Sequence, residues 1–168
     1  MTNFYDTLET RGADEREAAQ FALLPAQVGH ARAASTAFAE LLKDIDPRGV
    51  RDRAALARLP VTRKSDLQRR QMEQRARGGD VFGGFATIAY GERMPRVFAS
   101  PGPIYEPEGT AKDYWRVARA IFAAGFRPGE LIHNCFSYHF VPAGSMMETG
   151  AHALGCTVFP GGTGQTIA

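Results

Sequence analysis

The stretch AKDYWRVARAIFAAGFRPGELIHNCFSYHFVPAGSMMETGAHALGCTVF, residues 111–159, decides the fold expected for this 168-residue chain. Apolar side chains recur at helical spacing over residues 111–124 and again over residues 145–154. Short apolar runs over residues 131–136 and 157–159 are typical of strands. Two strands joined by a helix pair in parallel, because a parallel neighbour needs a crossover of about a dozen residues. The alternation therefore predicts an α/β fold.

The chain upstream of this stretch begins with helices. Apolar stripes predict one helix over residues 14–24 and another over residues 26–42. Pro25 separates them, because proline is tolerated only in the first turn of a helix. Further short helices are expected before the composition changes. We therefore expect an N-terminal helical segment over residues 1–80 and an α/β segment over residues 81–168.

The composition changes after Gly79, where glycine, proline and aromatic residues become frequent. Residues 82–90 and 95–99 resemble two short strands joined around Gly91, and this pattern predicts a β-hairpin. The strand over residues 95–99 and the helices and strands that follow it have the order βαβαβ along the chain. The expected architecture is thus a set of N-terminal helices followed by a β-hairpin and a βαβαβ parallel-sheet unit.

Both helices of the α/β segment carry boundary signals in the sequence. Thr110 and Asp113 resemble a shortened capping box before the first helix, and Ser145 and Glu148 have the spacing of a full one before the second. Gly155 is placed to end the second helix in the left-handed conformation that glycine adopts without strain. These signals predict that the two helices begin next to Thr110 and Ser145.

Composition argues against several classes of partner. The formal net charge of +2 is too small to favour nucleic acid or an anionic membrane as the main partner. No apolar run approaches the ~18 residues of a transmembrane helix, and no secretion signal is recognisable, so a cytoplasmic protein is expected. Cys135 and Cys156 lie in apolar segments without CxxC spacing, which predicts buried thiols and no metal site.

Ligands of open α/β sheets bind outside the carboxyl ends of the strands, which here means the loops after Ala99, Phe136 and Phe159. The first loop could cradle a phosphate with its backbone amides, or it could be an ordinary connection, since prolines and glutamates are frequent in it. The second loop holds His139 among aromatic rings, and such a histidine either packs in the core or lines a ligand pocket. No catalytic residue is assigned, because GxSxG, HExxH, P-loop and GxGxxG patterns are absent.

Several phrases of the sequence resemble, in this order, the phenylacetate-CoA ligase branch of the adenylate-forming (AMP-binding) enzyme superfamily. They are LPVTRKSDL at residues 59–67, RVFAS at 96–100, AAGFRPGEL at 123–131 and GAHALGCTVFP at 150–160. The resemblance spans most of this chain but only the N-terminal part of the family. It implies that residues 81–168 form a partial acyl- and nucleotide-binding subdomain.

Enzymes of this family couple a carboxylic acid to coenzyme A through an acyl-adenylate. The resemblance therefore implies ATP with Mg²⁺ and coenzyme A as cofactors, and a small aryl or related carboxylic acid as partner. The family's glycine-rich phosphate loop is similar to the segment that holds Ser100, Gly102 and Thr110, which implies nucleotide contacts at these residues. Glu106 stands where the family has a lysine, and this reversal of charge predicts weak ATP binding.

The family's loop at the acyl pocket resembles Tyr138-His139-Phe140, which implies substrate contacts by these three residues. The family's adenine, ribose and catalytic-lysine elements would lie beyond Ala168, so we expect this chain to be the N-terminal part of such a protein and inactive alone. The alternative is a non-catalytic binding or assembly module that keeps the scaffold. An incomplete sheet would expose apolar surface, which favours a homo-oligomer.

Overall fold

The computed structural model describes residues 3–164, and they divide into two compact units. The helical unit spans Arg11–Ala89, and the α/β unit comprises the described residues of Met1–Thr10 and Tyr90–Ala168. Within residues 3–164, none of the helices has the length and apolar character needed to cross a bilayer.

The helical unit contains four α-helices, which are α1 (Ala13–Ala34), α2 (Thr36–Leu41), α3 (Arg53–Ala57) and α4 (Lys64–Ala76). Its core is a small apolar cluster of buried residues, with Val28 on α1, Ala55 on α3 and Leu42 and Val50 between them. Burying an aliphatic side chain contributes about 1.5–3 kcal/mol. The cluster therefore fixes α1 against the short elements that follow it.

The predicted helix break at Pro25 is wrong, because α1 continues through this residue. A proline inside a helix loses one backbone hydrogen bond, and packing of the helix can offset that loss. The break comes instead at Ser35, whose backbone is extended with φ −134°. The Ser35 hydroxyl accepts a 3.2 Å hydrogen bond from the Phe38 amide and donates one of 2.6 Å to the Gly84 carbonyl. Ser35 is thus the N-cap of α2.

The described part of the α/β unit contains four strands and two α-helices, which are β1 (Arg96–Ser100), β2 (Ile104–Glu108), α5 (Ala118–Ala123), β3 (Leu131–His133), α6 (Ala143–Leu154) and β4 (Thr157–Phe159). Strands β1 and β2 form an antiparallel hairpin in which Arg96 pairs with Glu108 and Ser100 with Ile104. Strands β3 and β4 are parallel, and α6 forms the crossover between them. Buried side chains of α5, α6 and β3 form the core.

The α/β fold class, with helices first and strands after them, is confirmed, but two details of the topology differ. Residues 82–90 form turns rather than a strand, so the hairpin lies one strand later, around Pro101-Gly102-Pro103. The reason is that Gly83 and Gly84 have positive φ, and their carbonyls accept hydrogen bonds from helical residues instead of a neighbouring strand. Among the described residues, the strands form two separate pairs, and the continuous βαβαβ sheet is not seen.

The helix boundaries also differ from those predicted. Helix α5 begins at Ala118, because Asp113 and Arg116 adopt left-handed φ values of +52° and +59° that end any helix over residues 111–117. Asp113 still caps α5, since its carboxylate accepts hydrogen bonds from the amides that begin the helix. Ser145 lies inside α6 rather than at its N-terminus. Gly155 ends α6 with φ +94°, as predicted.

Candidate functional site

The ends of β1, β3 and β4 lie together in the α/β unit. The Ala99 amide donates a 2.8 Å hydrogen bond to the Phe140 carbonyl, which joins β1 to the loop after β3. The Asn134 amide donates to the Phe159 carbonyl, and the Gly162 amide donates to the Asn134 carbonyl at 3.0 Å. These bonds join the loop after β3 to the loop after β4. The three loops where the sequence places ligand contacts are therefore neighbours in space.

The residues for which nucleotide contacts are predicted lie on or beside the β1–β2 hairpin. Ser100 is the last residue of β1, Gly102 is the middle residue of the turn with φ +140°, and Thr110 is exposed just after β2. The long loop expected over residues 100–110 is thus mostly the strand β2, and the connection has only three residues. A three-residue turn presents few backbone amides to a ligand.

The chemistry of this hairpin does not fit a triphosphate. The Ser100 hydroxyl donates to the Glu106 carboxylate, so this hydroxyl already has an anionic partner. Pro101 and Pro103 have no amide hydrogen to donate. A carboxylate at Glu106 would repel phosphate oxygens by about 4 kcal/mol per charge pair at 4 Å and an effective dielectric constant of 20. The end of the hairpin around its turn therefore offers few donors to a phosphate, and the guanidinium of Arg96 at the other end of β1 is already paired with Glu108.

Tyr138 is held by hydrogen bonds from the loop after β3. The side-chain amide of the buried residue Asn134 donates 2.6 Å to the Tyr138 hydroxyl and 2.9 Å to the Gly144 carbonyl. The Asn134 side-chain oxygen accepts from the Phe136 amide at 3.1 Å. Partial burial of the phenol, with a further contribution from the nearby negative charge of Glu148, raises the pKa of Tyr138 to about 12. This network gives the loop a fixed shape.

His139 and Phe140 are exposed, so the structure does not place His139 in the core. The His139 backbone amide donates a 3.3 Å hydrogen bond to the Ser137 hydroxyl. The Phe140 ring is 81% exposed, and Phe136 and Tyr138 also expose much of their surface. The loop after β3 therefore presents an aromatic surface beside the end of β1.

A buried ion cluster next to this loop was not predicted from the sequence. The side chain of Glu108 is only 3% exposed and accepts hydrogen bonds from Arg96, from the Trp115 indole at 2.8 Å and from the Ser145 hydroxyl at 2.8 Å. Arg96 also donates to the Ser145 hydroxyl at 3.2 Å. The cross-strand pairing of Arg96 with Glu108 would have indicated this cluster, but it depends on the hairpin register. The cluster ties the hairpin to α6.

The two cysteines and the acidic and histidine side chains do not form a metal centre in the described part of the chain. Within residues 3–164, no group of three or more His, Cys, Asp or Glu side chains could hold a metal ion. Cys156 is buried, and this burial raises the pKa of its thiol. Cys135 is exposed, so the prediction that both thiols are buried is wrong for this residue. It follows β3 at the point where the chain leaves the sheet.

Solved structures of CoA ligases share this fold. The chain superposes on a crystal structure of 2-hydroxyisobutyryl-CoA ligase in the postadenylation state with a TM-score of 0.78, at 22% sequence identity, over 92% of this chain and 33% of that one. The thioesterification-state structure of the same ligase, in complex with 2-HIB-AMP and CoA, gives a TM-score of 0.76 at 22% identity. The chain thus has the fold of part of an adenylate-forming CoA ligase.

Curated relatives within this class are phenylacetate-coenzyme A ligases. That of Thermus thermophilus is 37% identical over 129 residues, which is 73% of this chain and 26% of the relative. That of Aromatoleum evansii is 34% identical over 170 aligned positions, or 96% of this chain and 36% of the relative. No family model matches the sequence. The predicted resemblance to the phenylacetate-CoA ligase branch is confirmed, and the chain spans about a third of the length of these relatives.

Proposed function

We propose that this chain provides the carboxylic-acid-binding part of a phenylacetate-CoA ligase-like protein, with an aryl or related acid as the ligand. Tyr138, His139 and Phe140 are the proposed contacts. The observation that carries the proposal is the aromatic loop fixed beside the end of β1 by the bond between the Ala99 amide and the Phe140 carbonyl. The names of the curated relatives support the choice of an aryl acid.

The exposed rings explain why an apolar acid suits this loop. Phe140 and Phe136 are 81% and 51% exposed, and both belong to the same loop. Covering an exposed aromatic side chain contributes about 1.5–3 kcal/mol, and a ring of the ligand adds stacking or edge-to-face contacts. An aryl group can therefore gain contact area here that a small aliphatic acid cannot.

Adenylate formation by this chain alone is not part of the proposal. ATP with Mg²⁺ and coenzyme A belong to the reaction of the family, but the bond between Ser100 and Glu106 and the prolines of the hairpin do not favour phosphate. These same features favour a second candidate function, a non-catalytic module that binds the acid without nucleotide. In either case the proposed acid site is the loop after β3. The expected homo-oligomer is an independent proposal, and light scattering, which measures the mass of the particles in solution, tests it.

Calorimetry with phenylacetate tests the proposal directly. The protein should bind phenylacetate, and Phe140→Ala should weaken this binding about fivefold or more, because it removes an exposed ring that the ligand would cover. Phe4→Ala removes another exposed ring from a different segment and is the matched control. Absence of phenylacetate binding, or equal losses in the two variants, would contradict the proposal.

ATP–pyrophosphate exchange separates the two candidate functions. Exchange that depends on phenylacetate would show that the chain forms an adenylate and would overturn the claim of inactivity. Binding of phenylacetate with the same affinity in the presence and absence of Mg-ATP, together with no exchange, is the expected result. It is the outcome that a nucleotide-independent acid site requires.

A further inference from the structure

Asn134 is a buried polar residue whose side chain has a partner for each of its hydrogen-bonding groups. The side-chain nitrogen donates to the Tyr138 hydroxyl at 2.6 Å and to the Gly144 carbonyl at 2.9 Å, which uses both of its hydrogens. The side-chain oxygen accepts from the Phe136 amide at 3.1 Å. Only 3% of Asn134 is exposed, so this residue can affect a ligand only through its neighbours.

The backbone of Asn134 is held independently of its side chain. Its amide donates to the Phe159 carbonyl at 2.9 Å, and its carbonyl accepts from the Gly162 amide at 3.0 Å. These two bonds continue the pairing of β3 with β4 beyond the last residues of the strands, and they do not depend on the side chain. A substitution at this position therefore tests the side-chain bonds while the two strands stay joined.

The ring of Tyr138 is fixed at both of its ends. At the base of the ring, a Cβ atom at Gly144 would lie 2.8 Å from the Tyr138 Cγ atom, so the first turn of α6 packs against the ring with no space for a side chain. At the opposite end, the hydroxyl accepts the hydrogen bond from Asn134. Tyr138 is nevertheless 37% exposed, so part of its surface remains accessible to a ligand.

We propose that Asn134 is a positioning residue that gives the acid site its preference for an aryl group over an alkyl group of the same size. This inference rests on the proposed function and adds a determinant of specificity to it. Two aromatic rings attract each other best in offset-stacked or edge-to-face arrangements, so their contact depends on the direction of the Tyr138 ring. Burial of an alkyl group is not directional and gains little from a fixed ring. Asn134 thus favours aryl acids without contacting them.

The comparison of phenylacetate with cyclohexylacetate tests this role, because the two acids have the same carbon skeleton and only the first has an aromatic ring. The wild type is expected to bind phenylacetate about fivefold more tightly than cyclohexylacetate, as measured by calorimetry. In Asn134→Ala this preference should fall to about twofold or less. Tyr138→Phe, which keeps the ring and removes the hydroxyl, should lower it by the same amount. The control is Asn3→Ala, which changes an exposed asparagine and should keep the full preference.

A double variant distinguishes positioning of Tyr138 from a general structural role. If Asn134 acts through the Tyr138 hydroxyl, Asn134→Ala should not reduce the preference further in a Tyr138→Phe background. A further fall in the double variant would overturn the inference. Equal losses of affinity for the two acids in Asn134→Ala, or a wild type that binds both acids equally well, would overturn it too and would leave the proposed acid site standing.

Hydrogen exchange of the Asn134 side-chain amide gives a readout without ligand. In ¹⁵N-labelled protein, this amide is identified as the side-chain signal that Asn134→Ala removes. Its hydrogens should exchange at least about tenfold more slowly than those of the exposed Asn3 side chain, because they are bonded and buried. Tyr138→Phe should accelerate this exchange, because one of the two hydrogens loses its acceptor.

This readout separates the inference from the proposed function. Exchange as fast as that of Asn3, or exchange that Tyr138→Phe does not change, would show that Asn134 does not hold Tyr138 and would overturn the inference whatever the acid affinities are. If the exchange behaves as expected but the wild type binds neither acid, the contact is real, the proposed function is wrong, and the role of Asn134 in acid specificity is wrong with it.

Discussion

The indole N–H of Trp115 donates a 2.8 Å hydrogen bond to the carboxylate of Glu108, whose side chain is almost fully buried. A buried carboxylate is stable only when its oxygens are paired. Here the partners come from β1, from the segment before α5 and from α6, so one anion connects three parts of the α/β unit. The position of the hairpin beside the aromatic loop depends on this connection.

Loss of the Glu108 carboxylate should destabilise the α/β unit. Glu108→Ala is expected to lower the free energy of unfolding by about 3 kcal/mol, because it leaves the Trp115 indole and the Ser145 hydroxyl without their acceptor. Urea unfolding followed by tryptophan fluorescence measures this, since Trp115 is the single tryptophan of the chain. Glu92→Ala, at an exposed position, should leave the midpoint unchanged. Equal midpoints for the two variants would contradict the prediction.

Ser35 should stabilise the helical unit through its cap. Ser35→Ala is expected to reduce the free energy of unfolding by about 1 kcal/mol, because the Phe38 amide loses its acceptor at the start of α2. Thermal unfolding followed by circular dichroism at a helical wavelength is the measurement. The control is Ser65→Ala, which changes an exposed serine within α4. A melting temperature for Ser35→Ala as high as that of Ser65→Ala would show that the cap contributes nothing.

Reversal of the charge at Glu106 should improve nucleotide binding. Glu106→Lys removes the acceptor that occupies the Ser100 hydroxyl and places a cation beside the hairpin turn. We expect Mg-ATP to bind about tenfold more tightly to this variant than to the wild type, as measured by calorimetry. Glu106→Gln, which removes the charge without reversing it, should give a smaller gain. An unchanged affinity in Glu106→Lys would mean that features other than charge prevent phosphate binding.

The raised pKa of Tyr138 predicts a loss of stability at high pH. The folded protein keeps this phenol protonated up to about pH 12, whereas a tyrosine in the unfolded chain ionises near its ordinary pKa of 10. Its contribution to the free energy of unfolding is fully present below about pH 10 and is lost as the pH rises to about 12. Urea unfolding across this range should show a weaker pH dependence in Tyr138→Phe than in the wild type. Identical pH profiles would show that the phenol of Tyr138 ionises at the same pH in the folded and the unfolded chain.

The order of elements could be read from the sequence because it depends on local patterns. The alternation of apolar stripes predicted α6, β3 and β4, and the glycine at position 155 predicted the end of α6. The start of α5 could not be predicted, because Asp113 and Arg116 adopt left-handed φ values that are unusual for residues other than glycine. Only the surrounding packing can impose such values.

The position of the hairpin was not predicted correctly, because the hydrogen-bond partners of residues 82–90 are distant in the sequence. Residues 82–90 were predicted to be a strand, but in the structure the carbonyls of Gly83 and Gly84 bond to Arg70, Ser35 and Ala37 of the helical unit. The turn Pro101-Gly102-Pro103 was instead interpreted as a phosphate loop or a simple connection. Local sequence does not show which distant group a backbone carbonyl will meet.

The predicted contact residues Tyr138, His139 and Phe140 rest on a short phrase of sequence, and their role stays a prediction. The residue that holds this loop was not found in the same way. Asn134 lies at a strand end with no distinctive pattern. It acts through hydrogen bonds to the Tyr138 hydroxyl and the Gly144 carbonyl, which become visible only when β3 and α6 are placed side by side.

The close packing of α5 against α6 leaves no space for a side chain at Gly150. A Cβ atom there would lie 2.9 Å from the Val117 side chain, which is closer than Cβ atoms pack, and 3.0 Å from the Ala118 amide nitrogen, which is at the lower limit of such contacts. Any larger residue would push the first turn of α5 outward and away from the Asp113 carboxylate. Even Gly150→Ala would therefore separate the start of α5 from α6. This separation should appear as faster hydrogen exchange at the amides of Val117 and Ala118, which bond Asp113 in the native structure.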